Sequence, residues 1–180
     1  MTQTLYTSQE IDDKVNKMAG EIIAVYPTTP VFVALLRGAA PFASKLMFAI
    51  AKQNPAYHPE LDYMTVKTYG GAKTAGAPQI ITDISPSTAI AGRDVVIIDD
   101  VLDTGVTAKF VREHLLALGA QSAAIAVLVD RLDVRTNGFK PDFYALTAGP
   151  EWLIGMGLDD MHTAVEAYRW SESIGVIPQE

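Results

Sequence analysis

The sequence predicts an α/β fold with a central parallel sheet flanked by helices, and three observations lead there. The apolar runs VFVALL at 31–36, VVII at 95–98 and AAIAVLV at 123–129 are of strand length and lack a polar face, as strands buried on both sides do. Segments with apolar residues at helical spacing separate these runs. The first two runs end in the turns LLRGA and IDDVLDTG, each leading toward such a segment. Strand, turn and helix in that order give a sheet covered on both faces, whose ligands bind at the strand carboxyl ends.

Each element follows in turn. Thr7-Ser8-Gln9-Glu10 offers a helix-opening cap with a reciprocal acid, and Ile11, Val15, Met18 and Ile22 recur at helical spacing behind it. VFVALL is the first buried strand, and RGAAPF turns it into a second helix whose first turn tolerates Pro41, with Phe42, Leu46 and Phe48 as core positions. Leu61 to Tyr69 mixes β-branched and aromatic residues, a strand composition, before GGAKTAGAP, which is too rich in Gly and Ala to pack well and reads as a mobile loop. VVIIDD is the next strand, followed by a helix that turns Phe110, Leu115 and Leu118 inward and stops at Gly119. AAIAVLVD, Asp142 to Ala148 and Trp152 to Met156 are further strands, the last two joined through Gly149-Pro150, and the tail ends in IGVIPQE.

Composition narrows the function classes. The 180 residues make one domain, able to bury roughly 70% of its unfolded surface without a disulfide or metal staple. No internal repeat, low-complexity segment or linker divides it. With 14 Lys+Arg against 21 Asp+Glu, a formal charge of -7 and no basic run, the chain repels phosphate backbones, which argues against nucleic acid as a partner. The absence of cysteine leaves oxygen and imidazole as metal donors, a set suited to hard cations such as Mg²⁺. MTQTLYTSQEID has neither a basic n-region nor an apolar h-region, and no apolar run approaches about 20 residues. The expected compartment is therefore the cytoplasm, with no membrane partner. His58, His114 and His162 are isolated, without paired ligand spacing, and carry no assignment.

The stretch VVIIDDVLDTGVTA carries the chemistry. Asp99 and Asp100 end an apolar strand at its ligand-facing mouth, and Asp103, Thr104, Gly105 and Thr107 follow at the opening of a helix. Hydroxyls, a flexible glycine and free amides at a helix N-terminus make a phosphate cradle. The adjacent acids would repel that phosphate; they suit sugar hydroxyls or Mg²⁺, so one short segment can hold a sugar phosphate at both ends. A P-loop reading of the acid pair requires GxxxxGK[ST], which is missing. A solvated strand end followed by a capped helix would use the same residue types.

These residues resemble the 5-phosphoribosyl-1-pyrophosphate (PRPP) motif of the type I phosphoribosyltransferases: apolar residues, two acids, two apolar residues, then D-T-G-x-T. LLRGA, TYGG and KPDFYALTAGPEWLIGMGLD are similar to the pyrophosphate loop, the start of the mobile lid and the purine hood of its hypoxanthine-guanine branch, so the resemblance spans most of the chain. It implies Asp99 and Asp100 at the ribose hydroxyls with Mg²⁺ close by, and Asp103 near the purine N7, handling its proton. It also implies Thr104, Gly105 and Thr107 around the 5-phosphate, with the backbone of Leu36, Arg37 and Gly38 at the pyrophosphate, in a loop that often has a non-proline cis peptide. Trp152 would stack on the purine, Leu153 would meet its edge through the backbone, and Asp159 would help hold a second Mg²⁺. Thr68 and Tyr69 would open the lid. The hood would come mainly from 131–180, with the N-terminal segment.

Three departures stand out. Arg131 replaces the lysine that donates to the purine's exocyclic oxygen, with Arg135 as a further basic residue in the same segment; its longer planar fork changes the geometry of donation. DMHTAVEA intervenes before Tyr168-Arg169, where the family has a pyrophosphate-contacting arginine, and Val106 stands where a lysine is common. The implied reaction is transfer of phosphoribosyl from PRPP to a 6-oxopurine, hypoxanthine with guanine or xanthine as further acceptors, in a homodimer or homotetramer. The rival readings are a regulator that keeps the PRPP site as a sensor and a phosphoribosyltransferase for another base.

Overall fold

The computed structural model describes residues 3–68, 77–132, 138–159 and 167–177. The elements run β1 (Gln3–Tyr6), α1 (Ser8–Val25), β2 (Val31–Leu36), α2 (Ala40–Gln53), β3 (Glu60–Thr68), β4 (Pro78–Thr82), β5 (Asp94–Leu102), α3 (Val106–Ala117), β6 (Ser122–Arg131), β7 (Phe143–Ala148), β8 (Trp152–Ile154) and β9 (Ile174–Ile177). Thr7 caps α1 with the expected box: its hydroxyl accepts from the Glu10 amide, and the Glu10 carboxylate accepts from the Thr7 amide. Pro41 sits in the first turn of α2, where a missing amide proton costs nothing.

Six strands form the main sheet in the order β4-β3-β2-β5-β6-β7. All neighbours are parallel except β3 and β4, which pair antiparallel from Thr65–Thr82 to Thr68–Pro78. The sheet is therefore parallel with one antiparallel edge. Pro78, expected in the loop, instead opens β4, where an edge strand tolerates a residue that cannot donate. A second, antiparallel sheet has the order β1-β9-β8, joining the two ends of the chain through Gln3–Val176 and adding β8 through Trp152–Ile177.

The period of two along each strand divides the core. Phe32, Ala34, Val96 and Ile98 point toward α1 and α2, where they meet Ile11, Met18, Phe42 and Leu46. Val33, Leu35, Val95 and Ile97 point the other way, onto Val111 and Leu115 of α3. Leu153, Met156, Leu158 and Ile174 join the first of these clusters, so apolar contact fixes the small sheet to the main body.

Two expected core residues lie outside. Phe48 is 76% exposed because it lies two residues, or about 200° around a helix, from the inward Leu46. Leu118 is 44% exposed: α3 has ended, Leu118 is its C-cap, and Gly119 turns left-handed at φ 96°. Val111 takes the inward place, with Ala108 and Leu115, while Phe110 packs only partly against the same core.

Candidate active site

The turns LLRGA and IDDVLDTG and the end of AAIAVLVD lie side by side, because β2, β5 and β6 are consecutive strands at the centre of the sheet. LLRGA leaves β2, the acids and DTG close β5, and Arg131 ends β6. The peptide between Leu36 and Arg37 is cis. At Gly38 a Cβ would lie 1.8 Å from Oδ2 of Asp100, and at Gly157, with φ +91°, a Cβ would lie 2.0 Å from the Gly38 carbonyl oxygen. The loop after β2 is thus held between the acid pair and the turn that follows β8, an approach that only glycine permits.

Asp99 and Asp100 are both half-buried. The Asp100 amide donates to Asp99 Oδ1 at 3.0 Å, and the Val101 amide donates to Asp100 Oδ1 at 2.8 Å. Desolvation first, then the neighbouring charge of Asp100, push the Asp99 carboxyl well above the usual carboxylate range. Asp100 is also raised by burial, against hydrogen bonds from Asp99 and Val101 and the nearby Arg169 charge, which oppose the rise. Two adjacent acids in this setting favour any cation or hydroxyl donor that satisfies them.

Gly105 is the N-cap of α3 at φ 78°, so the amides that follow it open outward, with Thr107 in the first turn. The ring of Phe139 rests on Gly105: a Cβ there would lie 2.6 Å from its Cδ1. On the other side of the mouth Arg131 makes three hydrogen bonds, from Nη1 to Asp103 Oδ1 at 2.9 Å, from Nε to the Gly149 carbonyl at 3.1 Å and from Nη2 to the Glu151 carbonyl at 3.1 Å. It therefore ties Asp103 to the turn that delivers Trp152. A cavity of about 250 Å³ opens here, walled by Asp100, Asp103, Arg131, Trp152, Leu158 and Asp159, with Val101 and Leu153 completing it.

Arg169 lies behind this wall, 7% exposed, donating from Nη1 to the Gly157 carbonyl and from Nη2 to Asp159 Oδ1, both at 2.6 Å. Its guanidinium is built into the small sheet's turn and orients Asp159. Thr68 is the exposed last residue of β3, opposite Pro78. Tyr69 and residues 70–76, with Arg135 and His162, lie outside the described residues. His114 bonds Asp83 Oδ2 through Nε2 at 2.8 Å, away from the cavity. Sequence reasoning missed Phe139, Gly157 and the carbonyls of Gly149 and Glu151. Only Gly157 carried a signal, as the second glycine of GMG; the others depend on where distant segments meet.

The fold and this site define a class. The family model described as "Phosphoribosyl transferase domain" matches residues 1–160, and the chain belongs to that family. Within it, the chain is similar to proteins named hypoxanthine-guanine phosphoribosyltransferase: 35% identical to that of Lactococcus lactis subsp. lactis (strain IL1403), over 99% of this chain and 92% of the relative. It is 32% identical to that of Streptococcus mutans serotype c, over 99% and 94%. Among solved structures, a hypoxanthine phosphoribosyltransferase from Staphylococcus aureus superposes with a TM-score of 0.85 at 29% identity, covering 98% of this chain and 91% of that one. A hypoxanthine-guanine phosphoribosyltransferase from Bacillus anthracis shares the fold at a TM-score of 0.86 and 23% identity, over 98% of both chains.

Proposed function

We propose that the protein transfers the phosphoribosyl group of PRPP to a 6-oxopurine, with hypoxanthine as first acceptor and guanine or xanthine as others, releasing pyrophosphate and a nucleoside monophosphate. The observation that carries this reading is the single mouth at which the DTG cradle, the acid pair, the Gly38 loop and the Trp152 wall meet. The cradle of Thr104, Gly105 and Thr107 takes the 5-phosphate, and the backbone of Leu36, Arg37 and Gly38 faces the pyrophosphate.

Bond cleavage leaves positive charge on the ribose ring, and Asp99 and Asp100, placed at the ribose hydroxyls, stabilise that charge more than they stabilise bound PRPP. Asp103 receives the purine proton as the new carbon–nitrogen bond forms, and Arg131 beside it orients its carboxylate. Trp152 stacks on the base, Leu153 meets its edge through the backbone, and a guanidinium that only donates favours an exocyclic oxygen over the amino group of adenine.

The donor set fits Mg²⁺. Among the described residues no three acidic or histidine side chains converge as a protein-only cage, and this ion commonly uses one or two carboxylates with substrate phosphates. Asp99 and Asp100 would hold one ion, and Asp159, oriented by Arg169, would face a second; bound there, Mg²⁺ would neutralise the leaving pyrophosphate. Arg169, held by its bonds to Asp159 and the Gly157 carbonyl, would donate to the pyrophosphate through the same guanidinium. Assembly as a homodimer or homotetramer follows from the family resemblance, and among the described residues no helix is long and apolar enough to cross a membrane.

The deciding assay supplies PRPP and Mg²⁺ with hypoxanthine, guanine, xanthine or adenine in turn. Nucleotide formation with 6-oxopurines and little with adenine is expected; pyrophosphate release independent of purine would refute the reading.

A further inference from the structure

We infer that Phe139 is a positioning residue for the 5-phosphate subsite, holding the cradle through Gly105. The inference rests on the reading of Thr104, Gly105 and Thr107 as that cradle. Gly105 caps α3 without a side-chain cap of its own, in a left-handed conformation that glycine enters and leaves easily. Inside the segment, the Lys109 amide donates to the Gly105 carbonyl at 2.9 Å and the Val106 amide to Thr104 Oγ1 at 3.5 Å; a contact from outside the segment restricts the glycine further. The Phe139 ring lies against Gly105 so closely that a Cβ there would come within 2.6 Å of Cδ1 and 3.1 Å of Cγ.

The ring is held in turn. The Arg112 guanidinium carbon lies 5.4 Å from the Phe139 centroid, in cation–π range. Arg112 is seven residues beyond Gly105, two turns of α3 along the same face. It is anchored by an ion pair with Asp142, whose Oδ2 also accepts the Ile125 amide of β6 at 2.8 Å. The main sheet thus supports Asp142, Asp142 holds Arg112, and Phe139 lies between Arg112 and the glycine that aims the phosphate-facing amides. None of these three side chains needs to touch substrate. Their loss would act on the phosphate end of a ligand and leave its base end alone.

The test compares wild type with Phe139→Ala, Phe139→Leu and Arg112→Met, reading KM separately for PRPP and for the purine, and equilibrium binding of inosine 5-monophosphate. Phe139→Ala is expected to raise KM for PRPP and weaken the nucleotide by about tenfold, with KM for the purine within about twofold, since dispersed amides lose phosphate contacts only. Phe139→Leu should restore part of that loss by covering the glycine, and Arg112→Met should give about threefold by freeing the ring. These two variants keep the question open to measurement should the alanine protein fold poorly. Equal rises in both KM values would make Phe139 a general core residue and overturn the inference, as would unchanged PRPP and nucleotide binding. A wild-type protein that binds neither PRPP nor the nucleotide removes the functional reading and this inference together; wild-type binding matched by Phe139→Ala removes the inference alone.

Discussion

The two sides of the mouth are built by different means. The side proposed for the phosphates is largely main chain: the cis Leu36–Arg37 peptide, Gly38 against Asp100, and the left-handed Gly105 opening α3. The side proposed for the base is side chains from separate elements, Arg131 of β6 bridging Asp103 and the turn before Trp152. A subsite made of backbone is written in contiguous motifs with glycine where no Cβ fits, whereas one made of side chains depends on residues that folding alone brings together. Substitutions should therefore separate the two ends, and the acid pair between them should matter most.

Replacing Asp99 and Asp100 together by asparagine should lower kcat by about 10³-fold or more, as expected when preorganised charge opposite a developing cation is removed. Steady-state turnover near the wild-type rate would end the assignment of the pair to the ribose. Next in size is Gly38→Ala. Its methyl would fall 1.8 Å from an Asp100 oxygen, so the loop or the acid must move, and kcat/KM for PRPP should drop by about 10²-fold, the scale of a small misplacement at a reacting centre. A crystal structure of that variant with the acid in place and full activity would mean the glycine only saves space.

At the base end, Asp103→Asn should cost about 10²-fold in kcat while KM for PRPP stays within a few fold, the pattern of a proton acceptor that does not hold phosphate. Loss in both parameters together would move Asp103 to the phosphate end and collapse the distinction. The smallest effect is expected at Arg131. Lysine carries its charge but cannot reach three acceptors in a fork, so Arg131→Lys should lose about tenfold in kcat/KM with 6-oxopurines. Arg131→Ala should lose more and narrow the gap to adenine. Competition assays with the four bases would show it; an alanine variant with unchanged preference would place base selection elsewhere in the wall.

The contrast also explains what could be read in advance. VFVALL, VVIIDD and AAIAVLVD are strands with the expected bounds to within a residue or two, and the Thr7 cap and Pro41 act where expected, because these signals are local. Phe48 and Leu118 misled, since hydrophobicity alone does not say which side of a helix faces inward or where its last turn stops. β1, β8 and β9 are only three or four residues long, and the pairing of β1 with β9 joins opposite ends of the chain, so no nearby pattern announces the sheet they form.

By itself, then, the sequence determined the central strands, the inward stripe of α1 and the DTG segment, because apolar runs, capping and left-handed glycine act over a few residues. Tertiary structure alone decided that β2, β5 and β6 stand side by side, that Arg131 spends three donors on Asp103 and two carbonyls, and that Phe139 lies on Gly105. These are contacts between segments far apart along the chain. Their geometry follows from how two apolar clusters close around one sheet, a global packing condition that no short window of residues contains.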